Sequence, residues 1–277
     1  LTAEGFLDGT GTAALFRGPN SMAVDSSGNI YLADQLNRSI RKITSAGVVT
    51  SRGTLLTGST AVSFADNGLQ LGICDGTYAY TFNYASNAFA QITDGDFPAS
   101  VGGISFLDGY FIVNENDPGK FYISALYDGT AWDPLDFATA ESSPDKLIRA
   151  VNFIGQLGLF GQNTLEIWRN TGDTDFPFAR ISGSTPIGTL SPDTIIGIDT
   201  SLYWVGHTSQ GGGMVYKAQG FTPVRISTDP IDKLIQAEAN PALLRSWTYQ
   251  EEGHVFLVIT GGTLPTSLVY DLSTGEW

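Results

Sequence analysis

Cysteine is almost absent from this sequence: Cys74 is the single cysteine in 277 residues, so no intrachain disulfide can form. The fold must therefore be stabilised by packing, and burial in the apolar run "LQLGICD" is the expected state of that thiol. Histidine is also scarce, with two residues. Basic residues number 14 against 28 acidic ones, a formal net charge of −14. This balance disfavours non-specific nucleic-acid binding, which requires clustered Lys and Arg.

Long apolar runs are missing as well, and no basic-then-apolar leader opens the sequence. No segment is long enough in apolar residues to span a bilayer, so we expect no membrane partner. The sequence begins with Leu1 and not with Met, and we expect it to be a piece of a longer chain.

The sequence is rich in turn formers and apolar residues. It has 33 Gly and 12 Pro, and 42% of its residues are hydrophobic. Frequent Gly and Pro interrupt long elements, so this composition favours many short strands joined by tight turns. At this length an all-β chain is commonly one domain.

A hairpin pattern recurs six times along the chain. Each copy has an apolar run, a short polar turn and a second apolar run, as in "SMAVDSSGNIYLAD" from Ser21 and "SWTYQEEGHVFLVIT" from Ser246. The turn positions are Gly28, Gly68, Gly109, Gly155, Ser201 and Gly253. A third alternating strand follows each hairpin, and the endings "AQIT", "ARIS" and "VRIS" suggest one repeated fourth strand. This spacing predicts an all-β fold, a six-bladed β-propeller of four-stranded antiparallel blades.

We expect a single propeller domain over residues 1–277, with blades at about 18–52, 59–95, 101–139, 146–184, 193–229 and 243–277. The sixth blade ends at Trp277 before a fourth strand is complete. The N-terminal segment near Thr2–Phe6 is therefore predicted to supply its outer strand and close the ring, because an unpaired edge is unfavourable. A frayed N-terminal tail is the alternative. One short helix is predicted near 230–238, where Pro230 suits a first turn and Asn240-Pro241 stops the helix.

Two resemblances accompany this pattern. Residues 5–50 resemble an NHL repeat through Asp8-Gly9, Gly18-Pro19, Ala23-Val24-Asp25, Gly28-Asn29-Ile30-Tyr31 and Ile40-Arg41-Lys42-Ile43. Such repeats imply a propeller and no particular activity.

Residues 68–277 resemble the packaged-DNA stabilisation proteins of short-tailed bacteriophages, which are tail accessory proteins of the neck. The similarity lies in "FLDGYFIVNENDPGKFYISALYDGTAWDPLDFATAESSPDKLIRAVNFIGQLGLFGQNTLEIWRNTGDTDFPFARISGS" and "LYWVGHTSQGGGMVYKAQGFTPVRIST". The first blade, with its NHL character, departs from that family. The resemblance implies a virion location after synthesis in the host cytoplasm, with portal or adaptor and tail needle or fibre proteins as partners. It also implies a ring homo-oligomer, and it transfers no catalytic residue.

Candidates for chemistry are few. His207 and His254 lie in different blades and lack HxH or HExxH spacing, so we expect no catalytic residue, metal or cofactor. The glycine-rich run "SQGGGM" from Ser209 lies between two strands and not before a helix, which favours a loop over a phosphate cradle. Trp132, in the turn-like "DGTAWDP", is expected to be exposed, and it is our first candidate for a contact surface together with His207.

Three functions remain open from the sequence. The first is a structural neck or tail hub protein that helps to close the portal channel and retain packaged DNA through protein–protein contacts, without sequence-specific nucleic-acid binding. The second is an NHL-like binding module for a protein or glycan. The third is a propeller lyase or hydrolase built around His207 and His254.

Overall fold

The chain folds almost entirely into β-strands, which form six antiparallel sheets in a computed structural model that describes residues 4–58, 62–116, 119–140 and 145–277. The first sheet contains β1 (Gly9–Thr10), β2 (Pro19–Val24), β3 (Ile30–Asp34), β4 (Ser39–Ile43) and β5 (Val48–Thr54). The second contains β6 (Ser63–Asp66), β7 (Gln70–Cys74), β8 (Ala79–Asn83) and β9 (Phe89–Gln91). The third contains β10 (Val101–Leu107), β11 (Tyr110–Glu115), β12 (Lys120–Ala125) and β13 (Asp128–Thr139).

The remaining strands form three further sheets. The fourth contains β14 (Leu147–Phe153), β15 (Gln156–Gly161), β16 (Leu165–Asn170) and β17 (Phe178–Thr185). The fifth contains β18 (Ile196–Ile198), β19 (Ser201–Thr208), β20 (Gly211–Gln219) and β21 (Thr222–Arg225). The sixth contains β22 (Leu244–Glu251), β23 (His254–Gly261) and β24 (Leu268–Asp271). In sequence order these sheets are the blades of a six-bladed β-propeller, which confirms the predicted fold class.

Five of the six predicted turn positions lie in hairpin turns; the exception is Ser201, which begins β19 directly after the turn residues Asp199 and Thr200. Asp108-Gly109, Ile154-Gly155 and Glu252-Gly253 all have positive φ at both residues, the conformation of a type I′ turn. Leu107 therefore pairs with Tyr110, and Glu251 pairs with His254, across two-residue loops. The twist of this turn type matches that of the flanking strands, so these dipeptides determine the hairpin register locally.

The blades group into two compact units. The first unit holds the first three blades with Ala150–Asn152 and Asp173–Phe176, and the second holds the rest of the last three blades. Tyr31, Ile40, Leu71 and Phe82 are among the buried residues between the first two blades. The single-domain assignment remains a prediction.

The predicted helix is confirmed as α1 (Asp229–Gln236), with Pro230 in its first turn. Ile235 is buried in the core that the fifth and sixth blades share, together with Val215 and Leu257. Among the described residues, no helix combines the length and apolar character needed to cross a membrane.

The N-terminal segment differs from the prediction. Residues 1–3 lie outside the described part of the chain, but Gly5 donates a backbone hydrogen bond to Phe16, and β1 pairs with β5 in the first blade. The sixth blade has three strands within the described ranges. The expectation that Thr2–Phe6 supplies the outer strand of the sixth blade is therefore wrong for Glu4–Phe6.

Buried Arg41 explains this placement. Its guanidinium, fully buried on β4, donates to the Asp34 and Asp8 carboxylates at 3.0 and 2.8 Å and to the backbone oxygens of Leu7 and Leu15 at 2.8 and 3.1 Å. A buried guanidinium is stable only with such partners. The N-terminal segment supplies most of them, so it is held against the first blade.

Candidate contact surface

Trp132 is a core residue. It lies in β13 with 7% of its surface exposed, its indole N–H donates to the Gly129 carbonyl at 2.9 Å, and its ring packs edge-on against Phe97. The backbone N–H of Trp132 also donates to the Asp94 carboxylate. The expected exposure of Trp132 is wrong, because a 12-residue strand runs through the stretch that looked like a loop.

Trp247 is the exposed tryptophan that the sequence interpretation missed. It lies on β22 with 48% of its surface exposed, and Tyr249 two residues later shares its face of the blade. Phe256 and His254 of β23 stand opposite Tyr249 and Glu251. The spacing Trp-x-Tyr in an alternating strand could have indicated from the sequence that Trp247 and Tyr249 lie on the same face.

The four rings form a continuous row, which we call the blade-six aromatic row: Trp247, Tyr249, Phe256 and His254. Centroid distances are 5.6 Å from Trp247 to Tyr249, 4.8 Å from Tyr249 to Phe256 and 6.0 Å from Phe256 to His254. The last two pairs are nearly parallel, at 18° and 15°. Since these rings cover one another's faces, the row suits packing by protein side chains better than stacking of a sugar ring.

His254 is held by a carboxylate. Its Nδ1 lies 2.7 Å from Oδ2 of Asp271, whose carboxylate also accepts from the Ser273 N–H and the Thr274 hydroxyl. Burial raises the pKa of Asp271, but these hydrogen bonds outweigh burial and hold that pKa below its usual value. Asp271 is therefore ionised at neutral pH, and it orients the imidazole at one end of the aromatic row.

His207 lies in a different environment. Its Nδ1 is 3.1 Å from the Gln162 carbonyl, which can only accept, so Nδ1 carries the proton. The ring lines a mostly apolar cavity of about 210 Å³. The other lining residues are Leu190, Ser191, Val205, Gly206, Gly212, Gly213, Ile235, Gln236 and Pro241. The two histidines have separate partners, and a contact role for His207 remains a prediction.

The glycine-rich run beside His207 is a hairpin in which glycine permits close packing. A Cβ on Gly212 would lie 2.7 Å from the His207 ring, and one on Gly213 would lie 2.7 Å from the Gln236 side chain of α1. These glycines thus serve contacts within the fold. Across the described ranges of the chain, no group of three or more His, Cys, Asp or Glu side chains is placed to hold a metal ion.

Solved structures similar to this chain share its fold. A streptogramin B lyase structure matches with a TM-score of 0.58 at 13% identity, covering 91% of this chain and 79% of that chain. The virginiamycin B lyase from Staphylococcus aureus matches at 0.55 and 10%, covering 86% and 76%. A chain of a mitotic checkpoint complex matches at 0.52 and 12%, covering 90% and 79%. At such identities the likeness concerns the fold alone.

Family assignment rests on a different comparison. No curated protein matches the sequence. The family model described as "Bacteriophage P22 Gp10, beta-propeller" matches residues 12–276. This match confirms the resemblance seen in residues 68–277 and extends it through the first blade, whose NHL character had seemed to set it apart. The chain therefore belongs to the family of the bacteriophage P22 Gp10 β-propeller, a family of phage structural proteins.

Proposed function

We propose that this chain is a structural protein of a phage neck or tail, which helps to close the portal channel and retain packaged DNA through protein–protein contacts. The observation that supports this most is the family match over residues 12–276. In this proposal the chain acts without turnover, as a ring of identical copies beside portal or adaptor proteins and a tail needle or fibre.

The charge of the chain fits this role. A net charge of −14 repels the phosphate backbone, so DNA can pass the protein without adhering to it. We expect no tight binding of purified chain to duplex DNA at low salt. A high affinity that falls steeply with added salt contradicts this part of the proposal.

The blade-six aromatic row is the contact surface we assign to this function. Exposed aromatic side chains are the residues most often found at the energetic centre of protein interfaces. Trp247, which is exposed, and Tyr249, which is half-buried, offer such anchors, while Glu251 and Asp271 give the row an acidic border.

Complementation tests the proposal. A phage lacking this gene should produce particles that package DNA and then lose it, and the wild-type protein supplied in trans should restore DNA-filled particles. The double variant W247A/Y249A should fail to restore them while folding normally. The matched control is L135A, which removes an apolar side chain that is 78% exposed and outside the row. DNA-filled particles in normal number without the protein contradict the proposal.

A lyase or hydrolase activity is the alternative, which the His254–Asp271 pair and the lyase structures of the same fold bring forward. At 13% identity the likeness does not extend to a reaction. If H254A abolishes DNA retention while W247A/Y249A does not, the His254–Asp271 pair is the functional element and the Trp247–Tyr249 end of the row is not.

A further inference from the structure

A cavity lies where α1 packs against the β19–β20 hairpin of the fifth blade. Its volume is about 210 Å³. Three elements contribute two lining residues each: Val205 and His207 from β19, Gly212 and Gly213 from β20, and Ile235 and Gln236 from α1. None of the described residues that line it is an acid, a lysine or an arginine. The Gln236 side chain is exposed, so the cavity reaches the surface of the blade.

A β-bulge beside His207 shapes this cavity. Gly206 pairs with Met214 and His207 pairs with Gly212, so Gly213 is an extra residue on β20, with a φ of 91°. A side chain at Gly213 would be strained at this φ, so backbone alone forms this wall of the cavity. Bulges of this kind are frequent beside functional sites, where they re-aim side chains.

Most polar groups around the cavity are used within the fold. The Ser191 side chain is buried, and its hydroxyl donates to the Pro241 carbonyl at 2.5 Å. The backbone N–H and carbonyl of His207 exchange hydrogen bonds with Gly188 at 3.0 and 2.8 Å. The side-chain groups that remain for a ligand are Nε2 of His207 and the amide of Gln236 at the border.

The tautomer of His207 fixes what Nε2 can do. Nδ1 carries the proton that points to the Gln162 carbonyl, so Nε2 of the neutral ring is a hydrogen-bond acceptor. The ring edge that carries Cδ2 and Nε2 faces Gly212, where a Cβ would lie 2.7 Å from Cδ2. In the described part of the chain, Nε2 has no hydrogen-bond partner. The cavity therefore offers one acceptor beside apolar walls.

We propose that this cavity binds a small neutral aromatic group that carries one O–H or N–H donor, of which a phenol is the simplest. The ring lies between Val205 and Ile235, and its hydroxyl donates to Nε2 of His207. A buried hydroxyl needs such a partner, because an unpaired one loses its hydrogen bonds with water. The inference rests on the cavity and does not depend on the proposed function.

Size and charge define this ligand class. An apolar cavity of about 150 Å³ holds benzene, so one of about 210 Å³ suits roughly eight non-hydrogen atoms, the size of p-cresol. A rigid ring of this size loses less conformational freedom on binding than a flexible chain does. An anion would face the lone pair of Nε2 with no cation in the lining, and a cation would have no carboxylate.

Paired ligands test the hydrogen bond. p-Cresol and p-xylene have the same size, and only p-cresol has a donor. Binding to the whole chain is followed by amide chemical shifts, and p-cresol should bind with a Kd of roughly 0.1–1 mM. H207F keeps a ring and removes Nε2, so it should weaken p-cresol at least tenfold and change p-xylene less than threefold. Retained p-xylene binding shows that the variant folds. Absence of p-cresol binding, or equal losses for the two ligands, overturns the proposal.

The imidazole nitrogens supply a readout that needs no variant. The chain has two histidines, so each can be followed by its ¹⁵N resonances. p-Cresol should shift the Nε2 resonance of His207 and leave those of His254 in place, and p-xylene should shift neither to a comparable extent. Equal shifts at the two histidines mean non-specific binding and refute the inference.

L190F tests the cavity itself. Leu190 is half-buried in the lining, and the larger ring should fill the space and weaken both ligands at least tenfold, with an unchanged circular dichroism spectrum. Q210A is the matched control, because Gln210 is exposed on the same hairpin and outside the cavity, and binding should change less than threefold. Unaltered binding in L190F places the ligand elsewhere and overturns the proposal.

A free phenol and the tyrosine side chain of another protein share this chemistry. A tripeptide with a central tyrosine and blocked ends distinguishes the two sources. Displacement of p-cresol by the tripeptide assigns the cavity to a tyrosine side chain, while retained p-cresol assigns it to a free compound.

Discussion

Arg41 provides the sharpest test of how the N-terminal segment is held. Replacement by Met keeps a long apolar stem in the same space and removes the guanidinium. The fully buried Asp34 carboxylate would still accept hydrogen bonds from the backbone N–H of Arg17 at 2.6 Å and from the side-chain amide of Asn37 at 2.8 Å. It would lose its charged partner. The backbone oxygens of Leu7 and Leu15 would lose their side-chain donor.

The expected cost is large. Breaking a buried ion pair by removing one partner destabilises a protein by about 3–5 kcal/mol, because it leaves an uncompensated buried charge. The ring centroids of Phe6 and Phe16 lie 4.8 and 5.0 Å from the guanidinium carbon of Arg41, so the substitution also removes two cation–π contacts. These effects share the same atoms and are not additive, so we retain the range of about 3–5 kcal/mol for R41M.

The assay is hydrogen exchange at the Leu15 amide, which donates to the Leu7 carbonyl at 3.0 Å, together with urea unfolding. At about 1.4 kcal/mol for each factor of ten, exchange should accelerate by roughly one hundredfold to several thousandfold. R17M is the matched control, because the Arg17–Glu4 ion pair is exposed and should contribute less than about 1 kcal/mol. If R41M and R17M change exchange at Leu15 equally, Arg41 does not anchor the segment.

Two further predictions concern single aromatic residues. Burial, assisted by the Asp25 charge, raises the pKa of Tyr31 to about 12, so its neutral form stabilises the fold below pH 10 and that contribution is lost as the pH rises from about 10 to 12. Y31F should therefore lose less stability than the wild type between pH 9 and 11 in urea unfolding, and an identical pH dependence would contradict the assignment. W132A should cost about 3–5 kcal/mol through the cavity it leaves, while W247A should cost under about 1 kcal/mol, and comparable thermal shifts for the two variants would show that their burial has been misjudged.

Local chemistry explains which parts of the fold were predictable. Gly109, Gly155 and Gly253 need positive φ whatever surrounds them, so their hairpins could be placed from neighbouring residues alone. The helix at Asp229–Gln236 likewise depends on Pro230 and on the spacing of its own apolar residues. Such features rest on short stretches of chain, and the sequence contains them in full.

The contact surface was not predictable in the same way. Trp132 and Trp247 both lie in strands beside polar residues, and only the packing of distant segments buries one and exposes the other. Asp94, 38 positions away, accepts the backbone hydrogen bond of Trp132. Alternation reveals the two faces of a strand but not which face has a neighbour.

By itself, the sequence determined six hairpin-based repeats and their turns, because strand alternation and left-handed turn residues act over a few positions. The tertiary structure alone decided where the N-terminal segment pairs. This placement depends on Arg41, a charge in the middle of an ordinary strand, which finds three of its partners 26 to 34 residues away. Contacts across such separations are set by the energy of the whole packed blade, which no local pattern encodes.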